Sequence, residues 1–130
     1  MIASQPNLDA AAAAMRVIDD HFAALNARDP EALAATLHFP HFRLSASAMK
    51  VWQTSDTYLD DFYARAGKGW ARSELLFRNV IAASASKVHL DVAFARFSDD
   101  GATMGSFRSL WVITRREDRW AAELRSSFAE

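Results

Sequence analysis

The chain has 130 residues, of which 51% are hydrophobic and 24% are charged, and its formal net charge at pH 7 is −1. This length and composition are typical of one globular domain, here residues 1–130, with a single core. The 15 basic residues form no run. Because binding to nucleic acid needs a basic stripe that neutralises phosphates, nucleic acid is not expected as a partner.

The chain contains no cysteine, which excludes disulfide bonds, a thiolate nucleophile and cysteine ligands for a metal. The segment from Met1 to Met15 has no positively charged region before its alanine run, so a signal peptide is not expected. No stretch approaches the ~20 apolar residues that a membrane-spanning helix needs. These features predict a soluble, cytoplasmic protein without a membrane partner.

A first helix is predicted from the apolar residues that follow Asn7. The Asn7 side chain is the expected N-cap, because its oxygen can accept a hydrogen bond from a free amide of the first turn. The helix is predicted to end at Asn26-Ala27-Arg28. Its apolar stripe, spaced three and four residues apart, consists of Leu8, Ala11, Met15, Ile18, Phe22 and Leu25.

A second, short helix is predicted to begin at Asp29-Pro30 and to stop at Pro40. Asp29 is its expected N-cap, and Pro30 suits the first helical position, where its missing N–H costs nothing. The segment Leu37–Leu44, which contains two histidines, is predicted to be the turn that leads into the strands. Two short strands are then expected over Arg43–Ser47 and Val51–Gln53.

A third helix is predicted after these strands. Thr54 or Ser55 is its expected N-cap, and Gly67 suits the left-handed conformation that ends a helix. Its apolar face consists of Tyr58, Leu59, Phe62, Tyr63 and Ala66.

From Ser73 onwards the apolar residues alternate, which predicts strands. Turns are expected at Asp99-Asp100-Gly101, where Asp-Gly tolerates positive φ angles, and at Arg116-Glu117-Asp118. Strands longer than the usual ~5–6 residues must twist and curl. The predicted strands are Ser73–Ala83, Val88–Phe97, Thr103–Arg115 and Arg119–Phe128.

Pairing through these turns predicts one apolar face and one charged face, since side chains alternate across a strand. The apolar face is expected to meet the helices, although a bulge would reverse part of the assignment. It comprises Val88, Leu90, Val92, Phe94, Phe107, Ser109, Trp111, Ile113, Trp120, Ala122, Leu124, Ser126 and Phe128. The charged face comprises His89, Asp91, Arg108, Glu123 and Arg125.

The predicted fold class is therefore α+β, with three N-terminal helices packed on the concave face of a curled, mostly antiparallel sheet that leaves an internal pocket. This order of elements resembles the nuclear transport factor 2-like superfamily, and within it the SnoaL-like branch, from about Leu8 to Phe128. The segments that carry the likeness are Ile18-Asp19-Asp20-His21-Phe22, Asn26-Ala27-Arg28-Asp29, Phe39-Pro40-His41, Ser109-Leu110-Trp111-Val112-Ile113-Thr114 and Arg119-Trp120.

The resemblance implies a cystatin-like cone with a pocket and a homodimer formed through the outer face of the sheet. The superfamily includes isomerases, dehydratases, cyclases, epoxide hydrolases and non-catalytic modules, so the fold does not define an activity. Its epoxide hydrolases use two acids bridged by an arginine. The predicted inner face contains no acid, which argues against that activity.

His41 is the candidate catalytic base. Ketosteroid isomerases, which this layout resembles, place a carboxylate near the turn after the helical hairpin. No acidic residue occurs between Glu31 and Asp56, so a base there would be a histidine, whose ordinary pKa lies near neutrality. The alternative, for His38 as well, is a side chain that bonds a backbone group and packs among the neighbouring phenylalanines.

Tyr58 is the candidate helper of this base, because a tyrosine hydroxyl can polarise a substrate carbonyl. With Tyr63 and Asp20 it could form an acid–base set that resembles the scytalone dehydratase arrangement. The alternative is that both tyrosines belong to the apolar helix face and that Asp20 is a solvated helix charge.

Arg43 and Arg96 are the basic residues most expected to point inward, where an arginine binds a carboxylate or phosphate in a bidentate manner. Arg96 could instead reach water beside the Asp-Gly turn. Ser109 and Ser126 are small enough to mark a pocket floor, or simply to leave room for Trp52 or Trp70. Arg108 and Arg125 are predicted to form a charged outer surface with Asp91 and Glu123, with anion binding as the alternative. The complete set of predicted ligand-binding residues is His38, Arg43, Trp52, Phe62, Arg96, Ser109, Trp111 and Ser126.

The histidines at positions 21, 38, 41 and 89 do not form a ligand pattern, so neither a metal nor another cofactor is expected. The aromatic residues favour a small hydrophobic, ring-containing organic ligand. If the protein is an enzyme, the prediction is a proton-transferring isomerase, dehydratase or cyclase. The alternative is a non-catalytic ligand carrier or a dimerisation and assembly module.

Overall fold

The structure is a computed structural model that describes residues 5–129. Residues 1–4 and 130 lie outside the described range. The two ends of the predicted domain, and the first four residues of the segment for which no signal peptide is expected, therefore fall outside the described residues. The helices are α1 (Gln5–Ala27), α2 (Pro30–Ala34) and α3 (Tyr58–Ala66). The strands are β1 (Leu37–Leu44), β2 (Met49–Trp52), β3 (Trp70–Ala83), β4 (Lys87–Ser98), β5 (Thr103–Arg116) and β6 (Arg119–Ser127).

The six strands form one curled sheet in the order β2-β1-β6-β5-β4-β3. Only the β1–β6 pair within this sheet is parallel, and every other neighbouring pair is antiparallel. The helices cover one face, so the predicted α+β class with three helices on a mostly antiparallel sheet is confirmed. None of the helices within residues 5–129 is long and apolar enough to cross a membrane.

Helix α1 packs its apolar stripe against the inner face of the sheet. Ile18, Phe22 and Leu25 are buried as predicted, whereas Leu8 is 53% exposed. Asn7 lies inside the helix rather than at its cap, because the helix already includes Gln5. The predicted cap is therefore wrong, while the predicted end at residues 26–28 is confirmed.

Helix α2 begins as predicted, with the Asp29 carboxylate accepting a hydrogen bond from the Ala32 N–H at 3.0 Å. It ends at Ala34, well before Pro40. Leu37–Leu44 is strand β1 and not the predicted turn, because its backbone pairs with β2 on one side and with β6 on the other. Pro40, which has no N–H to donate, is exposed and falls within the register irregularity between Leu37 and Phe42.

Helix α3 begins one turn later than the predicted caps allow. Its N-cap is Thr57, which makes no side-chain capping bond, so the prediction of Thr54 or Ser55 is wrong. Gly67 follows the last turn with a φ of 90° and donates its N–H to Tyr63, as expected for a glycine that ends a helix.

A bulge between β5 and β6 reverses the face of the last strand. Ile113 pairs with Ala122, but Val112 pairs with Leu124, so one extra residue of β6 is inserted at this point. Beyond the bulge, Trp111 pairs with Arg125 and Leu110 with Ser126. The predicted inner position is therefore wrong for Leu124, Ser126 and Phe128, and the predicted outer position is wrong for Arg125.

Candidate functional site

A cavity lies inside the cone, between the inner face of the sheet and helices α1 and α3. Its volume open to the centre of a water molecule is about 30 Å³, which exceeds the ~10–15 Å³ that one water needs. Its lining consists of four arginines, three serines, four aromatic residues, one histidine and one leucine: Arg43, Arg65, Arg96, Arg125, Ser73, Ser109, Ser127, Phe22, Phe62, Phe94, Trp111, His21 and Leu25.

The four arginines reach the cavity from β1, α3, β4 and β6, and those from α3, β4 and β6 lie against aromatic rings. Arg43, Arg96 and Arg125 are only 5%, 6% and 7% exposed. The Arg125 guanidinium lies 4.8 Å from the centre of the Trp111 ring, and that of Arg96 lies 4.9 Å from the Phe107 ring. Such cation–π contacts hold a guanidinium in a fixed position. The predicted inward orientation of Arg43 and Arg96 is confirmed.

The cavity contains no acidic side chain. Arg43 donates a hydrogen bond to the carbonyl of Ala129. Arg65, Arg96 and Arg125 form no ion pair with any of residues 5–129. The Nε atoms of Arg65 and Arg96 are buried and have no hydrogen-bond partner among those residues.

Burial and mutual repulsion act on these cations. Burial, and then the neighbouring Arg125 and Arg43 charges, lower the pKa of Arg65 to about 9. Burial, and then the charges of Arg43 and Arg125, lower the pKa of Arg96 to about 10. Both side chains are therefore still charged at neutral pH, in a setting that disfavours charge.

The three serines of the cavity each accept a hydrogen bond from the protein. Ser73 accepts from the Trp70 indole N–H at 3.0 Å, and Ser109 accepts from that of Trp111 at 3.2 Å. Ser127 accepts from the backbone N–H of Ala129 at 3.1 Å. Their hydroxyl hydrogens thus remain available as donors.

His21 is the histidine that faces the cavity, and no sequence pattern marked it as a site residue. The Thr36 hydroxyl donates to the Leu33 carbonyl at 2.7 Å, so it accepts from His21 Nδ1–H at 2.9 Å. The neutral ring then leaves Nε2 as a bare acceptor. Burial, followed by the charge of Arg125, lowers the pKa of His21 well below its ordinary value.

His41 and Tyr58 lie together behind the cavity and do not line it. His41 is fully buried and donates from Nδ1 to the Ala122 carbonyl at 3.0 Å. Its Nε2 and the Tyr58 hydroxyl are both buried and lack partners among the described residues. Burial, and then the charge of Arg125, lower the pKa of His41 to about 3.

His38 does not line the cavity. Its Nε2 donates to the Thr114 carbonyl at 2.9 Å, and its Nδ1 accepts from Arg119 at 3.2 Å. Both ring nitrogens are therefore bound within the protein, as the backbone-bonding alternative predicts.

The remaining predicted residues divide between the cavity and other places. Phe62, Ser109 and Trp111 line the cavity. Trp52 packs on Tyr58, with ring centres 4.8 Å apart, and donates to Asp61 at 2.8 Å. Ser126 faces outward because of the bulge, and Ser127 takes the inner place.

Seven further cavity residues were not predicted as ligand contacts, and Arg125 was assigned to the wrong face; the seven are the polar His21, Arg65, Ser73 and Ser127 and the apolar Phe22, Leu25 and Phe94. Arg65 lies in the last turn of α3, outside the apolar face predicted for that helix, so no sequence pattern indicated that it would reach the cavity. Among residues 5–129, no group of three His, Cys, Asp or Glu side chains could hold a metal ion.

The helices, the curled six-stranded sheet and the enclosed cavity together define the nuclear transport factor 2-like, or cystatin-like, fold. No family model and no curated protein sequence match the chain. A Nostoc punctiforme protein of unknown function with a cystatin-like fold has a TM-score of 0.76, covering 100% of this chain and 96% of its own at 14% identity.

A nuclear transport factor 2-like protein from Novosphingobium aromaticivorans has a TM-score of 0.75, covering 94% of this chain and 82% of its own at 15% identity. A ketosteroid isomerase-like protein from Erwinia carotovora atroseptica has a TM-score of 0.63, covering 90% and 93% at 15% identity. At these identities the likeness establishes the fold, while the SnoaL-like branch stays a prediction.

Proposed function

We propose that this protein binds a small organic molecule inside the cone. The observation that carries the proposal is a cavity lined by Arg65, Arg96 and Arg125, which form no ion pair among the described residues, and in which the buried Nε atoms of Arg65 and Arg96 lack a hydrogen-bond partner among those residues. Buried polar groups in proteins are nearly always satisfied, so unsatisfied ones that face a cavity indicate a ligand. Trp52 and Trp70 do not fill the cavity, which favours a ligand site over a purely structural module.

The size of the cavity restricts what enters it. About 30 Å³ open to the centre of a water molecule accommodates a compact group of a few heavy atoms. The part of the expected hydrophobic, ring-containing ligand that enters the cavity is therefore small. It is either a whole small molecule or one compact group of a larger molecule whose remainder lies nearer the surface.

A matched pair of variants tests this proposal. Ser109→Leu places a larger apolar side chain in the cavity, whereas Ser106→Leu makes the same change on the same strand at an exposed position. Denaturation of the purified protein, followed by mass spectrometry of what it releases, identifies co-purifying ligands, and a thermal-shift screen supplies others.

We expect a ligand that raises the melting temperature of the wild type and of Ser106→Leu, but not of Ser109→Leu. Equal binding by all three proteins, or no binding by any compound in the screen and no co-purifying ligand, would contradict the proposal.

A second candidate function is cofactor-independent proton transfer, as in an isomerase, dehydratase or cyclase. The bare Nε2 of His21 at the cavity wall favours it, because a neutral imidazole accepts a proton from a bound substrate. The unpartnered Nε2 of His41 and hydroxyl of Tyr58 lie one layer further back.

Turnover of an identified ligand tests this candidate. In an enzyme, His21→Gln or His41→Gln is expected to lower kcat by about 10²-fold or more, while Tyr58→Phe measures the contribution of the hydroxyl. Unchanged turnover in all three variants would eliminate these residues. A ligand bound without any turnover would instead leave the carrier alternative.

A further inference from the structure

We infer that the ligand of the cone carries an oxyanion, such as a carboxylate, phosphate or sulfate group, and that Arg96 and Arg125 bind it. The inference rests on the proposed function and adds the chemical class of the ligand. The further donors to this group are Arg65, Ser73, Ser109 and Ser127.

The polar side chains of the cavity present mainly hydrogen-bond donors. Arginine offers N–H donors and no acceptor. The three serines already use an acceptor position on Trp70, Trp111 and Ala129, so they present their hydroxyl hydrogens. Nearly every polar group of the cavity is thus a donor, the exception being Nε2 of His21. An oxyanion, which only accepts, is the complementary group.

The cavity also concentrates buried positive charge without a neutralising acid. Buried cations without counter-ions are costly, and like charges repel one another strongly where water is excluded. Arg96 and Arg125 are at least 93% buried and have no acidic partner within residues 5–129. A bound anion would offset both costs at once, so the site favours a negatively charged group over a neutral one of the same shape.

Aromatic rings hold the guanidinium groups of Arg96 and Arg125 in a fixed geometry. The Arg96 guanidinium lies against the rings of Phe107, Phe62 and Phe94, at 4.9, 5.5 and 5.6 Å from their centres. That of Arg125 lies against Trp111. Planar guanidinia held in this way match the paired oxygens of a carboxylate or phosphate, and little side-chain freedom remains to be lost on binding.

A surface cleft beside the cavity gives the anion a route and leaves space for the rest of the molecule. Arg43 and Arg65 line both the cavity and the cleft, which lies between β2 and α3 and also contains Lys50 and Trp52. The cleft also contains one carboxylate, that of Asp61, which lies 3.9 Å from the Lys50 ammonium, so its three cations leave a net positive charge that attracts anions from solution. The charged group is therefore placed deep in the cone and the remainder of the ligand toward Trp52.

Paired compounds and paired variants test the inference by calorimetry and thermal shift. The probes are inorganic phosphate, phenyl phosphate and benzoate, with the neutral benzamide as the counterpart of benzoate and with sodium chloride at equal ionic strength as the control. Arg96→Met and Arg125→Met remove a cavity cation and keep much of its bulk. Arg108→Met removes an arginine of the outer face that is paired with Asp91.

We expect at least one of the anionic probes to bind the wild type and Arg108→Met, and benzamide to bind neither. Because a hydrogen bond to a charged group is worth more than a neutral one, each cavity variant is expected to bind the anion roughly tenfold or more weakly. The unliganded Arg96→Met protein is expected to melt no lower than the wild type, since it loses an uncompensated buried charge.

Different failures have different meanings. Equal binding of benzoate and benzamide, or full anion binding by both cavity variants, would overturn the oxyanion inference and leave the cone a small-molecule site. If no probe binds and the ligand identified with the Ser109→Leu and Ser106→Leu pair is neutral, the inference also fails. If neither cavity variant folds, Arg96→Lys keeps the charge without the bidentate fork, and unchanged anion affinity in that variant would contradict the assigned geometry.

Discussion

At the scale of single residues, the interior histidines are kept neutral by burial first and by the neighbouring arginine charge second. His21 and His41 each donate from Nδ1 to a protein acceptor, and both have a lowered pKa because burial and the charge of Arg125 oppose protonation. A bound anion next to Arg125 would offset the effect of the Arg125 charge and so raise the pKa of both histidines. Ligand binding is thereby linked to the basicity of both rings.

The low pKa of His41 predicts a loss of stability in acid. The folded state keeps the ring neutral down to a pKa of about 3, whereas the unfolded chain takes up a proton near pH 6.5. The His41 contribution to the free energy of unfolding is therefore complete above pH ~6.5 and is lost progressively as the pH falls toward 3. Urea denaturation between pH 7 and 4 measures it as the difference between the wild type and His41→Gln, because His21 adds a loss of the same sign to both proteins.

His41→Gln is expected to flatten this pH dependence, since glutamine takes up no proton. His89→Gln, on the outer face, is the matched control and is expected to follow the wild-type curve. A His41→Gln curve as steep as that of the wild type over this range would contradict a neutral, buried His41.

At the scale of elements, the bulge between β5 and β6 decides which side chains form the cavity. Strict alternation from Trp120 predicts Ser126 inside and Arg125 outside. The extra residue near Leu124 reverses both, and so delivers a guanidinium and the Ser127 hydroxyl to the interior. A bulge of this kind reverses the direction of the side chains beyond it, and it bends and twists the strand locally.

Cysteine accessibility tests this register, because the natural chain contains no cysteine. Ser127→Cys is expected to react with a soluble disulfide reagent roughly tenfold or more slowly than Ser126→Cys, since a buried thiol reacts only when the structure opens locally. The reverse order of rates would restore the regular alternation and remove Arg125 from the cavity.

At the scale of the whole molecule, the outer face of the sheet is the surface on which the predicted homodimer would form. It exposes Leu110 (37%), Leu124 (37%) and Phe128 (76%), around an Asp91–Arg108 ion pair of 2.6 Å. Exposed apolar groups gathered on one face favour association, and a two-fold axis brings the same patch of both copies together. The homodimer through this face stays a prediction.

Light scattering coupled to size-exclusion chromatography measures the oligomeric state. Leu110→Glu places two negative charges in such an interface and is expected to weaken the dimer roughly tenfold or more. Leu8→Glu, the same change on the exposed start of α1, is expected to have no effect. A wild-type protein that is monomeric at micromolar concentration would show the prediction to be wrong.

The sequence by itself determined most of the architecture. The helical spacing from Ile18 to Leu25, the Asp29-Pro30 start and the Asp99-Asp100-Gly101 turn are local signals, and each corresponds to an element of the structure. Alternation likewise predicts the last four strands to within three residues at each end. Patterns of this kind are readable because neighbouring residues alone determine them.

Only the tertiary structure decided the contents of the cavity. Leu37–Leu44 is a strand because β6 lies beside it, and no local feature of the segment predicts this pairing with β6. The cavity brings together side chains from separate elements: His21 from α1, Arg65 from α3, and Arg125 and Ser127 from the part of β6 beyond its bulge. The chemistry of the site depends on how distant residues are brought together, and burial without counter-ions, which is the basis of the anion inference, arises only in the folded chain.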